Sequence, residues 1–242
     1  MRIPGTLVLL FTLPLSVGAE PGGPPVARWT FDKAELPTVA DVTGSGYHGK
    51  VSTPEGAIPL KLVTGLRGQA LQFTSNARPM AAVLVRKLGN LDFTKGFTFE
   101  AVVRMRKAAP REKTFEIITN TLSDRGKGVR FRVSWNSLGL RSGDGKKTWG
   151  ISSKPAIHSM RRGHWQHFAG TYDPGKGIYQ IYIGGKLAGE ATALPPTKGR
   201  ADCTIGSYVN GYAYGMMGDI DEIVVYDYPR RPIDIVKSAR LR

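Results

Sequence analysis

Between Phe97 and Arg106 the chain alternates, with Phe97, Phe99, Ala101, Val103 and Met105 on one side and Arg104 and Arg106 on the other. A side-chain period of two is that of an extended strand with one buried face. Val129 to Trp135 repeats the pattern, which puts Val129, Phe131, Val133 and Trp135 inward and Arg130 and Arg132 outward. Ile178 to Ile183 repeats it again, with Tyr179, Ile181 and Ile183 on one face. Further β-rich runs are 26–31, 81–85, 114–120, 165–172 and 220–226, and between runs lie turn signals such as Asp173-Pro174-Gly175 and Gly184-Gly185. Only Pro232 to Arg240 has the pattern of a short helix. Many short alternating strands without intervening helices make this an all-β chain, an antiparallel two-sheet sandwich.

The length of 242 residues suits a single such domain, and 30 Gly with 16 Pro suit its many turns. Arg2, the apolar stretch Leu7 to Leu15 and the small residues Val17-Gly18-Ala19 read as a secretory signal peptide over residues 1–19. A membrane anchor needs about twenty unbroken apolar residues, and Pro4, Gly5 and Pro14 interrupt this stretch. The expected product is therefore secreted and spans no membrane. Residues 20–25 form a Gly/Pro leader, 26–235 the domain and 236–242 a basic tail. The one cysteine, Cys203, excludes an internal disulfide and paired-cysteine zinc sites, and reads as a buried thiol.

The formal net charge is +15. Residues 104–162 carry fifteen Lys+Arg against four acids, a net of +11, and the last fourteen residues add +4. Alternation points Arg104, Arg106, Arg130 and Arg132 away from the core, so if their strands are neighbours they build one basic sheet face. The loops with Arg125, Lys127, Lys146 and Lys147 would extend it. Guanidinium groups suit carboxylate and sulfate because they offer paired donors in a plane. Trp149, Tyr208, Tyr212 and Tyr214 lie near this charge and are the candidates for stacking on sugar rings, although packing beneath a loop serves such aromatics equally well. The expected partner is a carbohydrate polymer, sulfated or uronic. Solubilising surface charge is the plain alternative. Nucleic acid is disfavoured, since the chain is exported and carries no recognition motif for it.

Seven segments also occur in an order that resembles a known family. They are Trp29-Thr30-Phe31-Asp32, Asp41 to Gly49, Gly65 to Phe73, Phe97 to Ala101, Trp165 to Asp173, Tyr182 to Lys186 and Gly218 to Asp227. Together they resemble the laminin-G-like jelly rolls of the concanavalin A-like lectin/glucanase superfamily. The resemblance covers about 26–235 and implies a jelly-roll sandwich. It implies core roles for Trp29, Phe73, Phe99, Trp165 and Tyr182. His48 and His167, inside these motifs, are expected to be hydrogen-bonded structural histidines. His158 and His164 lack metal-ligand spacing.

Members of this superfamily include lectins, glycosidases and adhesion modules, so three functions stay open: carbohydrate binding, a glycan-active enzyme, and protein recognition at a cell surface or matrix. The glycosidases of this fold carry Glu-x-Asp-x-(x)-Glu on one strand, and this chain has no such string; Asp219-Ile220-Asp221-Glu222 is the nearest. The reading is therefore a noncatalytic, lectin-like module. The resemblance also implies one structural calcium ion, with Asp32 and Asp221 as the matching positions. Asp221 could equally serve by accepting backbone hydrogen bonds.

Overall fold

The computed structural model describes residues 23–74, 78–121, 123, 125–154, 161–208 and 213–241. The stretch 1–19 expected to be a signal peptide, His158 and Tyr212 lie outside them. In chain order the strands are β1 (Ala27–Trp29), β2 (Thr38–Val39), β3 (Gly49–Ser52), β4 (Lys61–Thr64), β5 (Gln69–Phe73), β6 (Ala82–Val85), β7 (Phe97–Met105) and β8 (Thr114–Thr119). After these come β9 (Gly128–Ser134), β10 (Ser137–Gly143), β11 (Thr148–Ser152), β12 (Trp165–Asp173), β13 (Ile178–Ile183), β14 (Lys186–Thr192), β15 (Cys203–Ile205) and β16 (Gly218–Tyr226), then the helix α1 (Pro232–Leu241).

Two antiparallel sheets result. The first has the order β14-β13-β12-β7-β16-β5-β4, with β1 paired to β16, and the second has the order β11-β10-β9-β8-β15-β6-β3-β2. The inward rows foreseen from alternation meet between them: Phe97, Phe99, Val103, Val129, Phe131, Val133, Tyr179 and Ile181 each keep at most 1% of their surface. Phe97 and Phe99 stack with ring centroids 4.9 Å apart, and Phe93, Phe131, Tyr172 and Tyr179 extend the aromatic layer. Each such ring removes enough apolar surface from water to contribute roughly 1.5–3 kcal/mol.

Three expected core positions differ. Trp135 is 69% exposed, because the β9–β10 hairpin turns on Trp135 and Asn136 at φ 51° and 58°, as a tight two-residue connection requires. Trp165 is only half-buried; it pairs in register with Arg104 on the outer face, where the guanidinium lies 4.6 Å over its ring. Tyr182 is buried outside the sandwich, packed with Ala169 and Ile235 beneath α1.

The helix also revises the expected tail. Residues 236–241 continue α1, Ser238 is buried, and the Arg230 guanidinium donates to Ser238 Oγ at 2.7 Å, so a boundary at 235/236 cuts the helix. Among the described residues no helix is long and apolar enough to cross a membrane.

Candidate functional site

The four arginines expected on one face are divided between the two sheets. Arg104 stands on β7, whose neighbours are β12 and β16, whereas Arg130 and Arg132 stand on β9, between β8 and β10. Arg106 follows β7, its amide donating to Met217 O at 3.0 Å. Alternation fixes which side of a strand a residue occupies, but the sheet it joins is set by long-range pairing, and these strands belong to opposite layers.

On the first sheet and at the adjoining helix α1, three guanidinium groups are matched by acids. Arg104 Nη2 lies 2.8 Å from Asp219 Oδ2, Arg28 Nε 2.6 Å from Glu222 Oε1, and Arg231 Nε 2.8 Å from Asp234 Oδ2. Beneath α1, the fully buried Glu100 binds Arg230 through Oε1 and His167 Nε2 through Oε2 at 3.0 Å, so His167 is the hydrogen-bonded structural residue its motif implied. His48 is likewise hydrogen-bonded, its Nδ1 accepting the Asp41 amide at 3.1 Å.

The outward face of β9, β10 and β11 is built differently. Register places Arg132, Gly139 and Ser152 in one row and Arg130, Arg141 and Gly150 in the next. Glycines at 139 and 150 remove side chains, which leaves a shallow polar trough between the arginines. A Cβ at Gly139 would stand 3.3 Å from Ser152 Oγ and 3.9 Å from Arg132 Cγ, filling it. Gly150, at φ 120°, could carry no Cβ without striking Leu140 O at 2.2 Å.

Arg130 forms the floor at the β8 side and is not an exposed charge. It keeps 2% of its surface, and its Nε donates to Glu116 Oε1 at 2.9 Å. Its guanidinium lies 4.9 Å from the Tyr208 ring and 5.4 Å from the Tyr214 ring, and those rings sit 5.6 Å apart. The half-exposed Tyr214 is thereby held at the edge of the trough, and its carbonyl accepts the Glu116 amide at 2.9 Å. Glu116 Oε2 is buried with no hydrogen-bond partner among the described residues.

Arg141 was missed as a site residue in the sequence because its segment, interrupted by Gly139 and Gly143, shows no clear alternation and reads as no strand. Its position one residue from the buried Leu140 is the signal that could have found it. Its Nη2 donates to Ser152 Oγ at 2.8 Å, and its Nε is enclosed without a partner among the described residues. Burial and the neighbouring Arg130 charge hold its pKa below the usual guanidinium value.

The remaining expected residues fall at the margins. Lys146 and Lys147 are exposed in the β10–β11 turn, where their amides cap Asp144 Oδ1 at 2.8 and 2.9 Å, and Gly145 N–H donates to Arg125 O at 2.7 Å, so the two basic loops do meet at that end of the sheet. Trp149 occupies the inward row of β11, packs against the core and donates its indole N–H to Pro195 O at 3.1 Å, and so does not join the trough. Cys203 is the buried thiol expected, its pKa pushed up by burial.

On the first sheet, Asp32 and Asp221 line one cleft of about 360 Å³ together with Arg28, Arg67 and Glu222. A bulge between Ile220 and Glu222 puts Asp221 out of step with its strand. Asp221 Oδ2 accepts the amides of Leu66 and Arg67, the latter at 3.0 Å, and Asp32 Oδ1 accepts that of Gln69 at 2.8 Å. Burial raises the Asp221 pKa, with Glu222 and Asp32 adding to the effect against those two amide bonds. The all-oxygen chemistry suits calcium. Among the described residues no three His, Cys, Asp or Glu gather to hold a metal by side chains alone, so backbone oxygens would have to complete the shell.

A family model described as the concanavalin A-like lectin/glucanases superfamily (Laminin_G_3) matches residues 80–236. The binding domain of botulinum neurotoxin serotype G superposes with a TM-score of 0.68 at 13% identity, covering 90% of this chain and 51% of that one. Domain 4 of AbnA, a GH43 extracellular arabinanase from Geobacillus stearothermophilus, solved with arabinotriose, superposes with a TM-score of 0.66 at 20% identity, covering 89% and 98%. The chain thus spans about half the length of the neurotoxin chains and nearly all of the arabinanase domain. At these identities the likeness is one of fold. No curated protein matches the sequence.

Proposed function

Because this chain belongs to the concanavalin A-like lectin/glucanase superfamily, we propose that it is a secreted, noncatalytic carbohydrate-binding module whose binding face is the outer side of β8–β11. The observation that carries the reading is the polar trough itself, with Arg132, Arg141 and Ser152 around a glycine floor and Tyr214 at its edge. Guanidinium and hydroxyl donors answer sugar hydroxyl and acid oxygens, and a tyrosine face offers a ring something flat to lie on. That domain 4 of AbnA was solved with arabinotriose shows this fold presenting itself to a glycan in another protein.

The carboxylate count supports the noncatalytic reading. Glycoside hydrolysis needs two carboxyl groups across the bond. Strands β8–β11 contain only Glu116, whose Oε1 is committed to Arg130. A face whose strands carry Arg130, Arg132 and Arg141 against the single acid Glu116 also favours anionic polymers over neutral ones. The test is affinity electrophoresis of the purified chain against uronic, sulfated and neutral polysaccharides, with Tyr214→Ala alongside. Retardation by glycan that the variant reduces is expected; a chain that binds none of them ends the reading.

Calcium belongs to the same proposal, with Asp32 and Asp221 as two of its oxygen ligands. Melting in calcium and in chelator separates the roles of Asp221. If it holds the ion, calcium raises the melting temperature of the wild type and not of Asp221→Asn, by an amount set by mass action. If it only caps the 66–67 amides, the variant melts lower by the same margin in both buffers.

A further inference from the structure

We propose that Arg141 seats a planar carboxylate, so that the ligand of the β8–β11 face is a uronic-acid polymer. The inference rests on the reading of that face as sugar-binding and names the class of sugar.

Four other arginines are supplied with an acid by the chain: Arg28 with Glu222, Arg104 with Asp219, Arg130 with Glu116, Arg231 with Asp234. Arg141 has none among the described residues. Its partner is a neutral hydroxyl, Ser152 Oγ at 2.8 Å, and its Nε is enclosed and unpartnered. The residue directly across the ladder is another arginine, Arg130, whose charge repels it. A half-buried cation next to a like charge is an unfavourable arrangement for folding, and it becomes favourable when an anion settles on it.

The surroundings select the shape of that anion. Ser152 takes one hydrogen of Nη2 and so fixes the guanidinium plane, and a fixed planar edge matches two coplanar oxygens. Gly139 and Gly150, the neighbours of Arg132 and Arg141 in their rows, leave the approach free of side chains, so a bulky ring can bring its carboxylate down to the sheet. Glu116, the one carboxylate of these strands, is buried and paired with Arg130, so it does not compete with an incoming acid for Arg141.

The experiment compares wild type, Arg141→Gln and Arg141→Lys by calorimetry on de-esterified pectate, methyl-esterified pectate, a sulfated galactan and neutral arabinan, with circular dichroism to confirm that each variant is folded. Wild type should bind the free-acid pectate best. Arg141→Gln should weaken that binding by about tenfold to a hundredfold, the value of a charge-assisted hydrogen-bonded contact. Arg141→Lys, which keeps the charge but lacks the planar edge, should recover little of it, and on the methyl ester the three proteins should bind alike. Full rescue by Lys, or an equal loss on the sulfated galactan, overturns the carboxylate assignment. Unchanged pectate binding by Arg141→Gln overturns the inference while leaving the sugar-binding face intact. A wild type that binds no polysaccharide at all overturns the face as well.

Discussion

The two outer faces of this sandwich both carry arginines and treat them differently. On the first sheet side Arg28, Arg104, Arg230 and Arg231 each meet a carboxylate of the same chain, and α1 closes over the most buried pair, Arg230 and Glu100. On the second sheet the only carboxylate of β8–β11 is spent on Arg130, and Arg141 is left with a serine. The net charge of the chain therefore says little about where it binds; what matters is which cations the fold leaves without an acid. Closed networks hold elements together, and open ones are available to a ligand.

The largest effect should come from breaking the closed side. Glu100 is fully buried and holds Arg230 and His167 at once, so Glu100→Ala abandons a buried guanidinium and an imidazole beneath α1. Breaking a buried pair from one side costs about 3–5 kcal/mol, far more than a surface pair. Denaturant unfolding of the variant should show that loss, with α1 released from Ala169 and Tyr182. A loss below about 1 kcal/mol would mean that the network contributes little and that the contrast between the faces is only one of burial.

On the open side the same kind of deletion should cost little. Arg141→Gln removes a half-buried charge that repels Arg130, at the expense of one hydrogen bond to Ser152. The lost hydrogen bond costs about 1 kcal/mol and relief of the like-charge repulsion offsets it, so the variant should melt close to the wild type. Loss of ligand without loss of stability is the signature of a residue kept for function. A destabilisation as large as that of Glu100→Ala would show Arg141 to be structural.

These distinctions mark how far the sequence could be read. Period-two rows gave the core because burial on one face forces alternation, and Phe99, Phe131 and Ile181 are where that rule puts them. Sheet membership was beyond it, since the pairing of β7 with β12 and β16 is long-range and leaves no local trace. The same holds for the bulge that displaces Asp221, which adds one residue without changing composition, and for Trp135, whose parity looked inward until the hairpin turned there. Arg141 escaped because Gly139 and Gly143 interrupt the alternation of its strand, so the segment reads as no element.

The smallest effect is also the sharpest test of the separation. Arg104 on the first sheet pairs with Asp219 at 2.8 Å and lies over Trp165, yet its side chain remains 34% exposed. An ion pair open to solvent contributes about 0–1 kcal/mol and an exposed cation–π contact about 0.5–1 kcal/mol, and screening by salt reduces the former. Asp219 is not abandoned when Arg104 is removed, because Gln72 Nε2 donates to its other oxygen at 3.1 Å. Arg104→Gln should thus cost around 1 kcal/mol at low salt and less at high salt. Because it stands on the opposite sheet from the trough, it should leave glycan binding at the wild-type level, although it removes the same formal charge as Arg141→Gln. If both variants weaken binding to a uronic polymer equally, the polymer reads the total charge of the molecule and not an arrangement of residues on one face.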